Sequence, residues 1–145
     1  LVDRRGRDRE QTAVYLDVSG SMDDYLPWLY SALRAEAARL SPEVHLFSNR
    51  VVSVRLAALA AGLRDSTGGT DLDCVLAHAL ARPVRRILVV TDGWVGTPRR
   101  DLVDRARRAR LALSVLLTPG GMRQDLAPLA FRIEELPALH PVSRR

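Results

Sequence analysis

Thr12-Ala13-Val14-Tyr15-Leu16-Asp17-Val18-Ser19-Gly20-Ser21 is the most informative run of the chain. Its apolar run, Thr12–Val18, breaks off at a Ser-Gly-Ser turn, the pattern of a buried strand that delivers its carboxyl end into a loop. Downstream, Asp23 or Asp24 is placed to cap a helix. Leu26, Leu29, Leu33, Ala37 and Leu40 follow at helical spacing, with Arg34 and Arg39 off the stripe, until Ser41-Pro42 ends it. A second run of the same kind, Ile87-Leu88-Val89-Val90, ends at Thr91-Asp92-Gly93.

The segments between and after these two runs keep the alternation going. Glu43–Phe47 and Val51–Leu56 read as strands joined through Ser48-Asn49-Arg50, a hairpin. An Ala/Leu helix is expected over 57–63 and a loop over 65–70. Asp71 then opens a helix whose face is Leu72, Val75, Leu76, Ala79 and Leu80, stopped by Pro83. Pro98 starts another, with Leu102, Val103, Ala106 and Ala109 as its stripe. A strand over 111–117, a short helix near 124–130 and a last strand near 131–136 complete the pattern. Strands alternating with helices predict an α/β fold, a mainly parallel central sheet with helices on both faces, to which the 43–56 hairpin adds an antiparallel strand. The domain is expected over 12–136, between a tail or linker at 1–11 and a tail at 137–145.

Composition agrees with one globular domain. The chain has 145 residues, 47% of them hydrophobic, and so few aromatics (5%) that Leu, Val and Ala must build the core. All 22 basic residues are Arg, and the net charge is +5. Without Lys there is no Walker-type phosphate loop, no Schiff base and no Ser-x-x-Lys acyl transfer. No run reaches the roughly 18 apolar residues of a membrane span, and no signal peptide is visible. Cys74 has no second cysteine to pair with, so a cytoplasmic setting is the default expectation.

In sheets of this kind ligands bind beyond the carboxyl ends of the strands, which selects the loops to search. Asp17, Ser19 and Ser21 alternate along the first loop, and Gly20 lets them turn about one point. Gly68-Gly69-Thr70-Asp71 adds a hydroxyl before a helix, and Thr91-Asp92-Gly93 a second carboxylate. Two carboxylates and three hydroxyls, with no His or Cys, form an all-oxygen set suited to a hard divalent cation. Each residue also has a plainer reading: Asp as a turn residue, Ser and Thr as helix caps.

These residues resemble the metal-ion-dependent adhesion site of von Willebrand factor A domains, Asp-x-Ser-x-Ser with a distant Thr and Asp. The resemblance runs from about Thr12 to Leu136 and implies a Rossmann-like three-layer sandwich. It further implies Ser19, Ser21 and Thr70 as direct metal ligands, and Asp17 and Asp92 as ligands mostly through water. Mg²⁺ is the implied cation, with Mn²⁺ or Ca²⁺ as alternatives. A partner protein would complete the shell with an Asp or Glu, and intracellular relatives point to AAA+ ATPases of the MoxR type. The expected function is therefore a metal-dependent protein-interaction module and not an enzyme.

Met22 and Trp94, beside these loops, are expected to ring the binding face. Two other functions are weighed: a module of RNA particles, and a phosphatase of the haloacid-dehalogenase kind. The second wants an acid where Ser19 stands, and no Gly-x-Ser-x-Gly elbow of a serine hydrolase occurs either. The basic run Arg99–Arg110 reads as a solvated helix face sooner than a phosphate-binding surface, because Asp101 and Asp104 interrupt it. His45, His78 and His140 show no ligand spacing.

Overall fold

The computed structural model describes residues 11–58 and 70–137. Among these residues six strands form one sheet: β1 (Thr12–Asp17), β2 (Leu40–Phe47), β3 (Val51–Arg55), β4 (Arg86–Thr91), β5 (Ala112–Leu117) and β6 (Arg132–Glu135). Their order is β3-β2-β1-β4-β5-β6. All neighbours are parallel except the β2–β3 hairpin, where Val44 faces Val54 and Leu46 faces Val52, so β3 is an antiparallel edge. Among the described residues three α-helices connect the strands: α1 (Leu26–Ala35), α2 (Asp73–Leu80) and α3 (Arg100–Arg108).

The two-residue period of β1 sends its side chains to both faces of the sheet. Val14 and Leu16 meet Leu26, Leu29, Tyr30 and Leu33 of α1. Ala13 and Tyr15 lie on the other side, in one apolar cluster with Val75, Leu76 and Ala79 of α2 and Leu102 and Ala106 of α3. The architecture is thus the expected Rossmann-like sandwich, with α1 on one face and α2 and α3 on the other. On the α1 face, over β4–β6, a groove of about 580 Å³ is lined by Trp28, Leu88, Leu116 and Leu136 among others.

Several local expectations are corrected. The first helix ends at Ala35, and a 3-10 turn, Ala37–Arg39, leads to Leu40, which is already in β2. Leu40 is apolar and buried in either conformation, so its spacing alone could not separate helix from strand. Neither Asp23 nor Asp24 is the N-cap of α1; Tyr25 takes that position, with Pro27 in the first turn. Asp71 does serve α2, accepting the Cys74 N–H at 2.9 Å. The segment 124–129 is a succession of turns, not a helix. Most of the helix expected over 57–63, the loop before Thr70, and His140 lie outside the described residues. Among the described residues no helix is long and apolar enough to cross a membrane.

Candidate functional site

β1 and β4 are neighbours, but β1 continues toward β2 on one side and β4 toward β5 on the other. The strand order reverses between them, so a crevice opens where both end. Asp17 closes β1 and Thr91 closes β4, and the following residues turn over that crevice.

There the structure gathers four of the five expected ligands into one hydrogen-bonded cluster. Asp17 is 0% exposed. Its Oδ1 accepts the Ser19 N–H at 2.9 Å, and its Oδ2 accepts the Thr91 hydroxyl at 2.7 Å. Asp92 accepts the Trp94 N–H on Oδ1 at 3.1 Å and the Ser21 hydroxyl on Oδ2. Ser19 and Ser21 hydroxyls are 3.2 Å apart. Thr70 stands in the approach to α2, half-buried, and makes no hydrogen bond to the cluster. Its neighbour Asp71 is held to the same end of the sheet through the Ser48 carbonyl at 2.9 Å.

Burial raises the Asp17 pKa above the ordinary carboxylate range. The Thr91 and Ser19 hydrogen bonds oppose that shift, and the nearby Asp92 carboxylate adds to it. Thr91 is the residue whose role the sequence reading missed. Its hydroxyl both donates to Asp17 and accepts the Gly93 N–H at 3.0 Å, coupling the two loops. The available signal was a hydroxyl placed directly before the Asp at a strand end.

The expected metal is not supported by this donor set. Among the described residues no group of three or more His, Cys, Asp or Glu side chains could hold a metal ion. The cluster has two carboxylates only, and all four of their oxygens already accept from protein N–H or O–H groups. Among the described residues no buried side-chain nitrogen or oxygen is left without a partner, so no orphaned ligand there asks for a cation. A complete metal-ion-dependent adhesion site, and Mg²⁺, Mn²⁺ or Ca²⁺ as cofactor, are therefore corrected. The partner carboxylate that was to complete the metal shell is corrected with them.

Met22 and Trp94 have opposite fates. Met22 is 0% exposed and packs with Val18, Leu26 and Val90 in the α1-side core, so it offers no surface to a partner. Trp94 is 65% exposed. Its loop is held from below: Gly93 has φ 88°, and a Cβ there would come within 1.9 Å of the Met122 carbonyl oxygen. Met122 in turn donates its N–H to the Asp92 carbonyl at 2.9 Å.

The family described as VWA domain containing CoxE-like protein matches residues 1–119. The chain belongs to this family. Such a VWA domain is a protein-interaction module and not an enzyme, which removes the phosphatase reading. No curated protein matches the chain. Among solved structures, proximal thread matrix protein 1 from the mussel byssus is similar at 14% identity and a TM-score of 0.65, over 92% of this chain and 43% of that one. A second structure of the same mussel protein, described with a zinc-occupied MIDAS motif, gives 12% identity and 0.66, over 88% and 44%. At such identities the likeness establishes the fold, and the zinc is a property of the mussel protein. The VWA domain spans less than half the length of those chains. Neither the family nor these structures connects it with an AAA+ ATPase or an RNA particle, and both expectations are corrected.

Proposed function

We propose that this VWA domain is a non-catalytic docking module that engages a partner protein directly, without an intervening cation. Its binding face is the rim beyond β1 and β4, formed by Ser19, Ser21, Asp92 and Trp94, with Thr70 at its border. The observation that carries this reading is an exposed indole on a rigid mount. The Trp94 N–H is tied to Asp92 Oδ1, and Gly93 is wedged against Met122. A large aromatic on an already fixed backbone leaves only its side-chain rotamers to be ordered on binding and serves as an anchor, while the hydroxyls around it supply polar contacts. The folded unit is taken as residues 12–136 with tails on either side. A cytoplasmic location goes with the single, unpaired Cys74.

Capture of a binding partner from the native cell extract tests this, comparing the wild-type chain with Trp94→Ala, each with and without chelator. The expected result is capture that survives EDTA and is lost in Trp94→Ala. Capture abolished by EDTA, or unaffected by the indole, refutes the reading.

A further inference from the structure

The opposite pole of the sheet, at the N-terminal ends of the strands, carries a second surface. Arg85 and Arg86 stand at the start of β4, Arg108 and Arg110 at the end of α3, and Phe131 directly before β6. The strand registers hold them together. Arg86 is paired with Ala112, the Arg85 carbonyl accepts the Ala112 N–H at 2.8 Å, and the Phe131 N–H donates to the Leu113 carbonyl at 2.7 Å. With strands about 4.8 Å apart, these three strand starts span roughly 10 Å. All four arginines are exposed, and Phe131 is 77% exposed.

Among the described residues none of these four guanidinium groups has an ion pair or a hydrogen bond. Their neighbours do: Arg82 pairs with Glu43 at 3.3 Å, and Arg107 donates to the Pro128 carbonyl at 3.1 Å.

Arg110 adds an independent sign. α3 ends in a Schellman motif, with Arg110 N–H donating to Arg107 O and Leu111 N–H to Ala106 O, both at 3.0 Å. Arg110 occupies the left-handed position of that motif, at φ 56°, where glycine is favoured. Arg105, Arg107 and Arg108 already place positive charge in the last turn of the helix. Backbone stability thus argues against an arginine at 110, and its side chain needs another reason to be there.

We propose that this arginine pole docks an acidic segment of a partner protein. Its carboxylates are received by the guanidinium forks of Arg85, Arg86, Arg108 and Arg110, and an apolar side chain packs on Phe131. The patch suits a short peptide better than a long polyanion. Asp104 lies one turn before Arg108, and Arg82, three residues before Arg85, holds the Glu43 carboxylate at 3.3 Å. A nucleic-acid backbone running across would meet both. The patch also offers a single aromatic platform, where single-stranded nucleic acid uses a succession of them.

The test uses the whole chain and a fluorescently labelled peptide rich in Glu and Leu, with a Gln-for-Glu peptide, a single-stranded oligonucleotide and anionic lipid vesicles as competing probes. The acidic peptide is expected to bind, and its affinity to fall about tenfold or more in the double variant Arg86→Glu, Arg110→Glu. Trp94→Ala leaves it unchanged. Arg110→Gly supplies a variant whose fold is not at risk: it weakens peptide binding while raising the melting temperature, effects of opposite sign that a purely structural arginine would not produce. The proposal is overturned if the charge reversals or Arg110→Gly leave peptide affinity unchanged. It is equally overturned if the Gln peptide binds as well, or if the oligonucleotide or vesicles bind more tightly than the peptide.

Discussion

Thr91 donates its hydroxyl to Asp17 Oδ2 at 2.7 Å, joining the ends of β1 and β4 across 74 residues of chain. The same oxygen of Thr91 receives the Gly93 N–H, so one hydroxyl sets both the buried carboxylate and the turn that carries Trp94. Removing it leaves a buried carboxylate oxygen and a backbone N–H unpaired at once. Thr91→Val, which keeps the shape, is expected to cost about 2 kcal/mol or more in a urea unfolding titration. A loss within the scatter of surface substitutions would show that water replaces the hydroxyl at no cost.

Asp17 makes a prediction of opposite sign. Its pKa is raised in the folded protein, chiefly by burial, so the folded chain holds this proton more tightly than the unfolded one. Its contribution to stability is present at low pH and is lost as pH rises from the unfolded value of 3.8 through the raised folded value. Asp17→Asn removes that penalty and is expected to raise the melting temperature at neutral pH, with the gain shrinking toward pH 4. Equal gains at both pH values would mean that the charge is not the cause.

His45 gives the chain an acid limit. It is buried on β2, its Nδ1 lies 2.6 Å from the Ser53 hydroxyl, and its ring contacts Tyr15 and His78. Desolvation, with help from the charges of His78 and Arg82, lowers its pKa from 6.5 to about 4. Because the unfolded chain binds this proton more readily, stability falls as pH drops below 6.5 and continues to fall down to about 4. The loss over that window is on the order of 3 kcal/mol. NMR titration of the His45 ring checks the pKa, and unfolding free energies at pH 7 and pH 4.5 check the linkage.

Gly93 is the mount of the proposed anchor. Gly93→Ala places a methyl group 1.9 Å from the Met122 carbonyl oxygen, in a left-handed conformation as well. Backbone cannot yield as a flexible side chain does, so about 3 kcal/mol of destabilisation is expected. An unchanged melting temperature would show that the loop has room the structure does not display.

Metal independence has a direct readout. A cation bound at a hundredfold its dissociation constant would stabilise the fold by about 2.7 kcal/mol. Addition of Mg²⁺, Mn²⁺ or Ca²⁺ to chelator-treated protein is expected to leave the melting temperature where it was. A dose-dependent rise that vanishes in Asp92→Ala would restore the metal to this site.

The architecture was legible in the residues because its signals are local. The apolar runs 12–18 and 87–90, each ended by small polar residues, mark buried strands whatever surrounds them, and their alternation with helical stripes leaves few topologies. Where local signals conflict, neighbours decided. Leu40 served a helical stripe and a strand equally well, and pairing with Thr12 placed it in β2. At 124–130 the apolar residues fit a helix, yet the chain spends them on turns that carry it to Phe131 beside Leu113.

That Asp17, Ser19, Ser21 and Asp92 meet at one end of the sheet is legible in the residues alone, since strand ends and the turns after them put them there. What they do on meeting is set by the packing of the folded chain. Whether a carboxylate oxygen faces a vacancy or a hydroxyl depends on donors supplied from other strands, and Thr91, Ser21 and two backbone N–H groups take all four oxygens. That packing decided likewise between Met22 and Trp94, both adjacent to the same loops: one turned into the α1 core and the other out to solvent. Burial and hydrogen-bond partnership are properties of the packed neighbourhood, and no spacing along the chain encodes them.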